Sequence, residues 1–322
     1  MTPIVIWSVV FTVSLSVLIK GADIFTDQSG KLAKIIGIPD IVIGATLVAL
    51  GTSLPELAAC LYSVLTGSGE FVAGTVIGSN ISNIAFILGA TSFAFGGITI
   101  SKKIFSFDLP MLILSVVLLS ITSMDGSIGI LEGSALFVMY LLYLFYIIRN
   151  KDPETKTNGE SISPGMFFHL ILSILCIYFG AEYTVRSVVE LSNVFGFKDT
   201  SFMALTVVAI GSSLPELIVT VTAARKKMYD MSVGNIIGSN ICNTFLITGL
   251  PSIIKPLPVT DAVFKTGIPF MSAITLAFYF LTNPRFLFNR HAKNQNGTLG
   301  RITGGFFLLI FILYLWSLTG WI

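Results

Sequence analysis

Two stretches decide the fold: 44-GATLVALGTSLPEL-57 with 74-GTVIGSNISN-83, and 204-ALTVVAIGSSLPEL-217 with 234-GNIIGSNICN-243. Gly51, Pro55, Glu56, Ser79 and Asn83 of the first pair recur as Gly211, Pro215, Glu216, Ser239 and Asn243, each 160 residues later. Upstream, Gly21-Ala22-Asp23 answers Gly180-Ala181-Glu182 with a slip of one residue. A chain that repeats itself at this spacing contains two copies of one structural unit.

The surroundings of the repeats are those of a membrane protein. Apolar residues make up 54% of the 322-residue chain and charged residues only 11%, against roughly 25% charged in an ordinary soluble domain. The mean hydropathy is +0.88, so too little polar surface remains to face water all round. Apolar runs lie near 3–26, 39–66, 71–96, 108–124, 130–148, 165–190, 200–224, 231–254, 265–282 and 302–320, most of them near the 20 residues that a spanning helix requires. The first run has no basic leader and no small-residue cleavage site, so it reads as a retained helix. The expected fold is an all-α integral membrane protein of about ten transmembrane helices, arranged as two five-helix repeats: 1–148, a cytoplasmic hinge at 149–164, and 165–322.

Charge sets the sidedness. Odd-numbered connections hold Lys31, Lys34, Lys102, Lys103, Arg149, Lys151, Lys156, Arg225, Lys226, Lys227, Arg285, Arg290, Lys293 and Arg301, and even-numbered ones only Lys198, Lys255 and Lys265. The positive-inside bias puts the odd loops in the cytoplasm and both termini outside. With five helices per half, equivalent helices cross in opposite directions. The loops agree, because 66-TGSGE-70 is acidic where its equivalent 224-ARKKMYD-230 is basic. This is the inverted-repeat plan of secondary transporters, whose substrate site lies at the midplane between the repeats.

Glu56 and Glu216 stand within stretches otherwise free of charge. Carboxylates at such depth are costly unless paired or solvated, and two that face each other repel unless a cation sits between them. Their combined charge of −2 suits one Ca²⁺. Ala49, Thr52, Ser53 and Glu56 share a helix face through i, i+3, i+4 and i+7 spacing, as do Ala209, Ser212, Ser213 and Glu216. Ser79 with Asn83, and Ser239 with Asn243, are i, i+4 pairs. Pro55 and Pro215 deprive the carbonyls of Gly51 and Gly211 of a donor and are expected to open the helix there. The result is an all-oxygen shell for a hard cation, Ca²⁺ or Na⁺. Gly74/Gly78 and Gly234/Gly238 are small-xxx-small pairs expected to allow close helix approach. Cys60, Cys176 and Cys242 read as packing residues, and Lys20–Asp23 and Glu182–Arg186 as local ion pairs. A nucleotide-driven pump would need a phosphate-binding glycine loop, which is absent. An intramembrane hydrolase would need a base beside Ser53 or Ser79. Scattered basic residues exclude a nucleic-acid surface.

At GTSLPEL…GSNISN and GSSLPEL…GSNICN the sequence resembles the sodium/calcium exchanger branch of the Ca²⁺/cation antiporter superfamily. That resemblance implies a secondary-active, electrogenic exchange of several Na⁺ for one Ca²⁺ by alternating access, with Ca²⁺/H⁺ exchange as the alternative. It implies a transporter, not an enzyme, with no cofactor beyond the transported Ca²⁺ and Na⁺. Glu56 and Glu216 would be shared ligands. Thr52 and Ser212 would add carbonyls and hydroxyls, and Ala49 and Ala209 carbonyls on Na⁺. Ser53, Ser213, Ser79, Ser239, Asn83 and Asn243 would complete the pocket. Asn243, where K⁺-dependent relatives carry Asp, argues against K⁺ co-transport, and Thr75 replaces the family's usual Asn. The lack of a long regulatory loop suggests a microbial transporter; the expected setting is a prokaryotic plasma membrane, with the protein functional as a monomer in lipid. Helices two, three, seven and eight should form the core, with one and six sliding across it.

Overall fold

The computed structural model describes residues 3–150, 162–194, 213–283 and 297–318. They form eight helices long and apolar enough to span, a shorter apolar helix α4 and the described part of α7: α1 Pro3–Ile36, α2 Asp40–Leu65, α3 Glu70–Phe95, α4 Asp108–Thr122, α5 Ile130–Arg149, α6 Pro164–Val194, α7 Leu214–Arg225, α8 Tyr229–Ile254, α9 Val263–Thr282 and α10 Arg301–Leu318. Each coincides with an expected span; α7 is described only from Leu214, and the hinge residues 151–161 lie outside the described set. The chain is an all-α, multi-pass integral membrane protein. One boundary moves: α1 continues to Ile36, so Lys31 and Lys34 ride on its last turns rather than in a loop.

Four short strands, which apolar periodicity does not announce, pin the connections. Strand β1 (Gly97–Ile100) pairs with β4 (Gly297–Gly300), and β2 (Ser127–Ile128) with β3 (Leu257–Pro258), both antiparallel. The first clip joins two odd connections and the second two even ones, as an alternating ten-helix path demands. Shifting by five helices exchanges the two clips, so the pairing itself carries the inverted symmetry. Each clip also ties one repeat to the other.

Burial divides the helices by role. The most apolar windows of α8, α3 and α2 are 89%, 72% and 61% buried, whereas that of α1 is 17% buried. Helices α1 and α6 meet α2, α7 and α8 in a second apolar cluster, which includes Leu18, Phe25, Ile177, Val48 and Val219, apart from the main one. They cross closely: a Cβ on Gly180 would lie 2.7 Å from the Leu18 nitrogen, and one on Gly21 2.9 Å from Cys176 Cβ. All three cysteines are free, as packing residues should be.

The glycine pairs divide unexpectedly. A Cβ on Gly234 would sit 2.7 Å from the Ile41 carbonyl oxygen, and one on Gly238 would overlap the Ala45 backbone, so α8 presses against the start of α2. Gly74 and Gly78 meet nothing nearer than 3.6 Å and 3.9 Å. The first pair therefore does not mediate close packing, contrary to expectation. In a bilayer, helix association rests on such backbone approach rather than on hydrophobic exclusion.

A cation-suited site between the repeats

Helix geometry around the motifs departs from α in a patterned way. Asn243–Ile247 of α8 forms a π turn, closed by the Thr248 amide on the Asn243 carbonyl at 3.0 Å. Its repeat counterpart, Ser82–Leu88 of α3, does the same. Such turns widen the backbone and rotate the residues beyond them, and they recur at functional sites. In α2 the π turn is Gly44–Val48, and the helix then runs unbroken from Ala49 to Leu65 through Pro55. The expected opening thus lies upstream of Pro55, not at Gly51. Pro215 occupies the first turn of α7, where its missing N–H costs nothing.

Both glutamates are buried, Glu56 to 5% exposure and Glu216 to 1%. Ser79 donates to Glu56 Oε1. Asn243, with its nitrogen turned to the carboxylate, donates to Glu56 Oε2 at 3.2 Å and to the Ser239 carbonyl at 3.1 Å. Ser53 donates to Glu216 Oε1 at 3.0 Å and lies 3.3 Å from Ser239 Oγ. Asn243, Ser239 and Ser53 thus link the two acids. Among the described residues no Lys, Arg or His pairs with either carboxylate.

The repeat relation would make each contact occur twice, and it does not. Ser213, the counterpart of Ser53, is buried with its Oγ unpartnered. Asn83, the counterpart of Asn243, donates instead to Asn240 Oδ1 at 2.8 Å, leaving its own Oδ1 without a donor. Glu216 Oε2 is likewise unpartnered. Buried polar atoms are nearly always satisfied, so an unneutralised Glu216 oxygen together with two orphaned neutral oxygens on the motif residues Ser213 and Asn83 suits a positive partner. Their chemistry is that of hard-cation ligands. No cluster of three or more His, Cys, Asp or Glu exists among the described residues, which disfavours a zinc- or copper-type centre.

Thr52 donates toward the carbonyls of Val48 (3.2 Å) and Ala49 (3.1 Å) and lies 3.3 Å from Asn235 Oδ1. Asn235 in turn donates to Thr220 Oγ1 at 3.0 Å, so it couples α2, α7 and α8. Its counterpart Thr75 makes no such bridge among the described residues and lines a cavity. Ala209 and Ser212 lie outside the described residues. Sequence reading missed Asn80 and Asn240: Asn80 donates to Thr244 Oγ1 at 3.0 Å, and Asn240 to the Asn80 carbonyl at 3.1 Å. The signal was present, since each follows a motif serine in both repeats. An argument from one helix face passed over them, whereas α3 and α8 are buried on most faces.

A cavity of about 430 Å³ reaches this site, lined by Pro55, Glu56, Thr75, Tyr178, Glu182 and Arg186 among others. On the other face Asp23 is closed off by Arg225 at 2.5 Å and Lys226 at 3.4 Å, and Lys226 also holds Asp27 at 2.8 Å. Asp23 therefore pairs across helices rather than with Lys20. Glu182 and Arg186 form no ion pair either; the guanidinium lies over Trp7, 5.8 Å from its centroid.

Two buried carboxylates contributed by inverted repeats, one of them lining a cavity on one face while ion pairs close the other, agree with what whole-chain comparison finds. The profile of the sodium/calcium exchanger protein family matches residues 6–149 and 166–320. The chain belongs to that family. The exchanger is 31% identical over 311 residues to the sodium/calcium exchanger MaX1 of Methanosarcina acetivorans, covering 83% of this chain and 88% of that protein. It is 29% identical over 315 residues to the inner membrane protein YrbG of Escherichia coli, covering 94% and 95%. A structure of the sodium-calcium exchanger NCX_Mj, soaked with Na⁺ and Ca²⁺, matches with a TM-score of 0.82 at 26% identity, over 97% of this chain and 98% of that one. The exchanger is accordingly an antiporter-type transporter, not an enzyme.

Proposed function

We propose that this exchanger moves one Ca²⁺ against several Na⁺ by alternating access, with net movement of charge. The observation that carries this reading is the pair of buried acids, formally −2 in all, with no basic partner among the described residues. One Ca²⁺ neutralises them. Na⁺ ions would use the same acids together with neutral oxygens, and Thr52, Ser53, Ser79, Ser239, Asn83, Asn243, Ser213, Ser212 and the Ala49 and Ala209 carbonyls are the ligands assigned to these ions. Any Na⁺ beyond the second leaves the loaded site positive, so exchange against one Ca²⁺ is electrogenic. Residues 1–148 and 165–322 act as the two repeats about the 149–164 hinge, while α1 and α6 slide over α2, α3, α7 and α8. The protein works as a monomer in a prokaryotic plasma membrane, with both termini outside and the basic loops in the cytoplasm.

The test is Ca²⁺ uptake into proteoliposomes under Na⁺, K⁺ or pH gradients, with the membrane potential clamped at several values. Uptake should follow the Na⁺ gradient, ignore K⁺, and respond to potential. Uptake that follows the pH gradient alone would make the protein a Ca²⁺/H⁺ exchanger instead.

A further inference from the structure

We propose that Glu182 is the recruiting carboxylate at the mouth of the open vestibule, drawing cations from the face that bears the N-terminus toward Glu56. This rests on the Na⁺/Ca²⁺ reading above. Glu182 is exposed and lines the same cavity of about 430 Å³ that ends on Glu56. It makes no ion pair with any described residue, although Arg186 lines the same cavity one helical turn away. Arg186 is drawn aside over the Trp7 ring, a cation–π contact that leaves the carboxylate free. The rest of the lining includes Pro55, Ala59, Thr75, Tyr178 and Val185, so Glu182 is the acid that a cation meets before the buried site.

Repeat symmetry supplies an independent argument. The counterpart of Glu182 is Asp23, on the face that is closed. There the carboxylate is occupied by two cationic groups, Arg225 and Lys226. The same position in the repeat thus holds positive charge where the vestibule is shut and stands empty where it is open. The turn that would supply basic groups on the open side, 66-TGSGE-70, contains none.

A carboxylate about 8 Å from the ion path in water raises the local concentration of a monovalent cation about 2.4-fold, and that of a divalent cation by the square of that, about 6-fold. Half-saturating Na⁺ and Ca²⁺ are to be measured separately at each face of proteoliposomes whose orientation is set by protease access to an N-terminal tag. In low salt, Glu182→Gln should raise half-saturating Ca²⁺ about 6-fold and Na⁺ about 2.4-fold at the N-terminal face, with the maximal rate moving less. Arg186→Gln should shift both constants the opposite way, Glu182→Asp should restore most of the loss, and added choline chloride should shrink every effect. Equal shifts at both faces, equal shifts for Na⁺ and Ca²⁺, or unaltered constants in Glu182→Gln beside an active wild type would each overturn the proposal. A wild type that exchanges under no gradient would remove the reading beneath it as well.

Discussion

Lys226→Ala should loosen the closed face of the exchanger. The Lys226 ammonium donates to the Asp23 carbonyl at 2.8 Å and lies 2.8 Å from Asp27 Oδ1 and 3.4 Å from Asp23 Oδ1. Its side chain is 22% exposed, and those of Asp23 and Asp27 are 24% and 56% exposed. The Asp27 pair is open to solvent and contributes about 0.5 kcal/mol. The charge-assisted bond to the Asp23 carbonyl, better shielded, contributes about 1.5 kcal/mol. All of these join helix α1 to the α7–α8 turn, so all must break if α1 moves across the core. Their loss, about 2 kcal/mol, raises the population of the opened form about 30-fold. Hydrogen exchange is the assay: amides of the 223–228 turn and of α1 around Asp23–Asp27 should exchange about 30-fold faster, with the even-numbered connections unchanged. Lys227 is the control. It adjoins Lys226, has φ of 60°, and makes no ion pair among the described residues. If Lys227→Gln accelerates exchange as much as Lys226→Ala, the general charge of the turn is responsible and the latch argument fails. It fails equally if neither variant changes exchange.

Other expectations concern the site and its packing. Glu56→Gln and Glu216→Gln should each abolish exchange yet elute as folded monomers. At 100 times its dissociation constant Ca²⁺ should stabilise the wild type by about 2.7 kcal/mol, a shift in thermal melting that both variants should lack; a normal shift in either removes that residue from the site. Ser53→Ala takes the donor from Glu216 Oε1 and should weaken Ca²⁺ binding about 10- to 100-fold, the worth of a charge-assisted hydrogen bond, as read by calorimetry. Gly238→Ala forces a Cβ into the Ala45 backbone and should lower the melting temperature sharply, whereas Gly78→Ala, with Tyr314 Oη 3.9 Å away, should scarcely alter it. Similar losses from both substitutions would contradict the asymmetric packing.

What the sequence discloses and what it hides have one physical origin. Apolar runs and the 160-residue offset report backbone equivalence, so the described spans, both glutamates and the motif residues Ser79 and Asn243 that bond Glu56 were legible. A repeat says nothing about how two equivalent halves differ at a given moment. Ser53 Oγ bonds Glu216 while Ser213 Oγ is unpartnered; Gly238 is jammed against Ala45 while Gly78 is free; Asp23 is latched while Glu182 faces a cavity. Some of these differences are written in side chains, such as Asn235 against Thr75 and the basic against the acidic turn. Others, such as Ser53 against Ser213, arise between identical residues, and no sequence pattern can forecast them. For a transporter this division is informative. A site related perfectly by two-fold symmetry would be equally open or equally shut at both faces, and could not carry an ion across without leaking. Contacts that differ between identical residues can exchange roles if α1 and α6 slide, as proposed above. Contacts that differ in sequence cannot, and through them the two access states acquire unequal energies. The Lys226 latch belongs to this second class, since Thr66–Glu70 offers Glu182 no basic counterpart. The exchanger should therefore rest in the form seen here, and Lys226→Ala should bring the two states closer in energy.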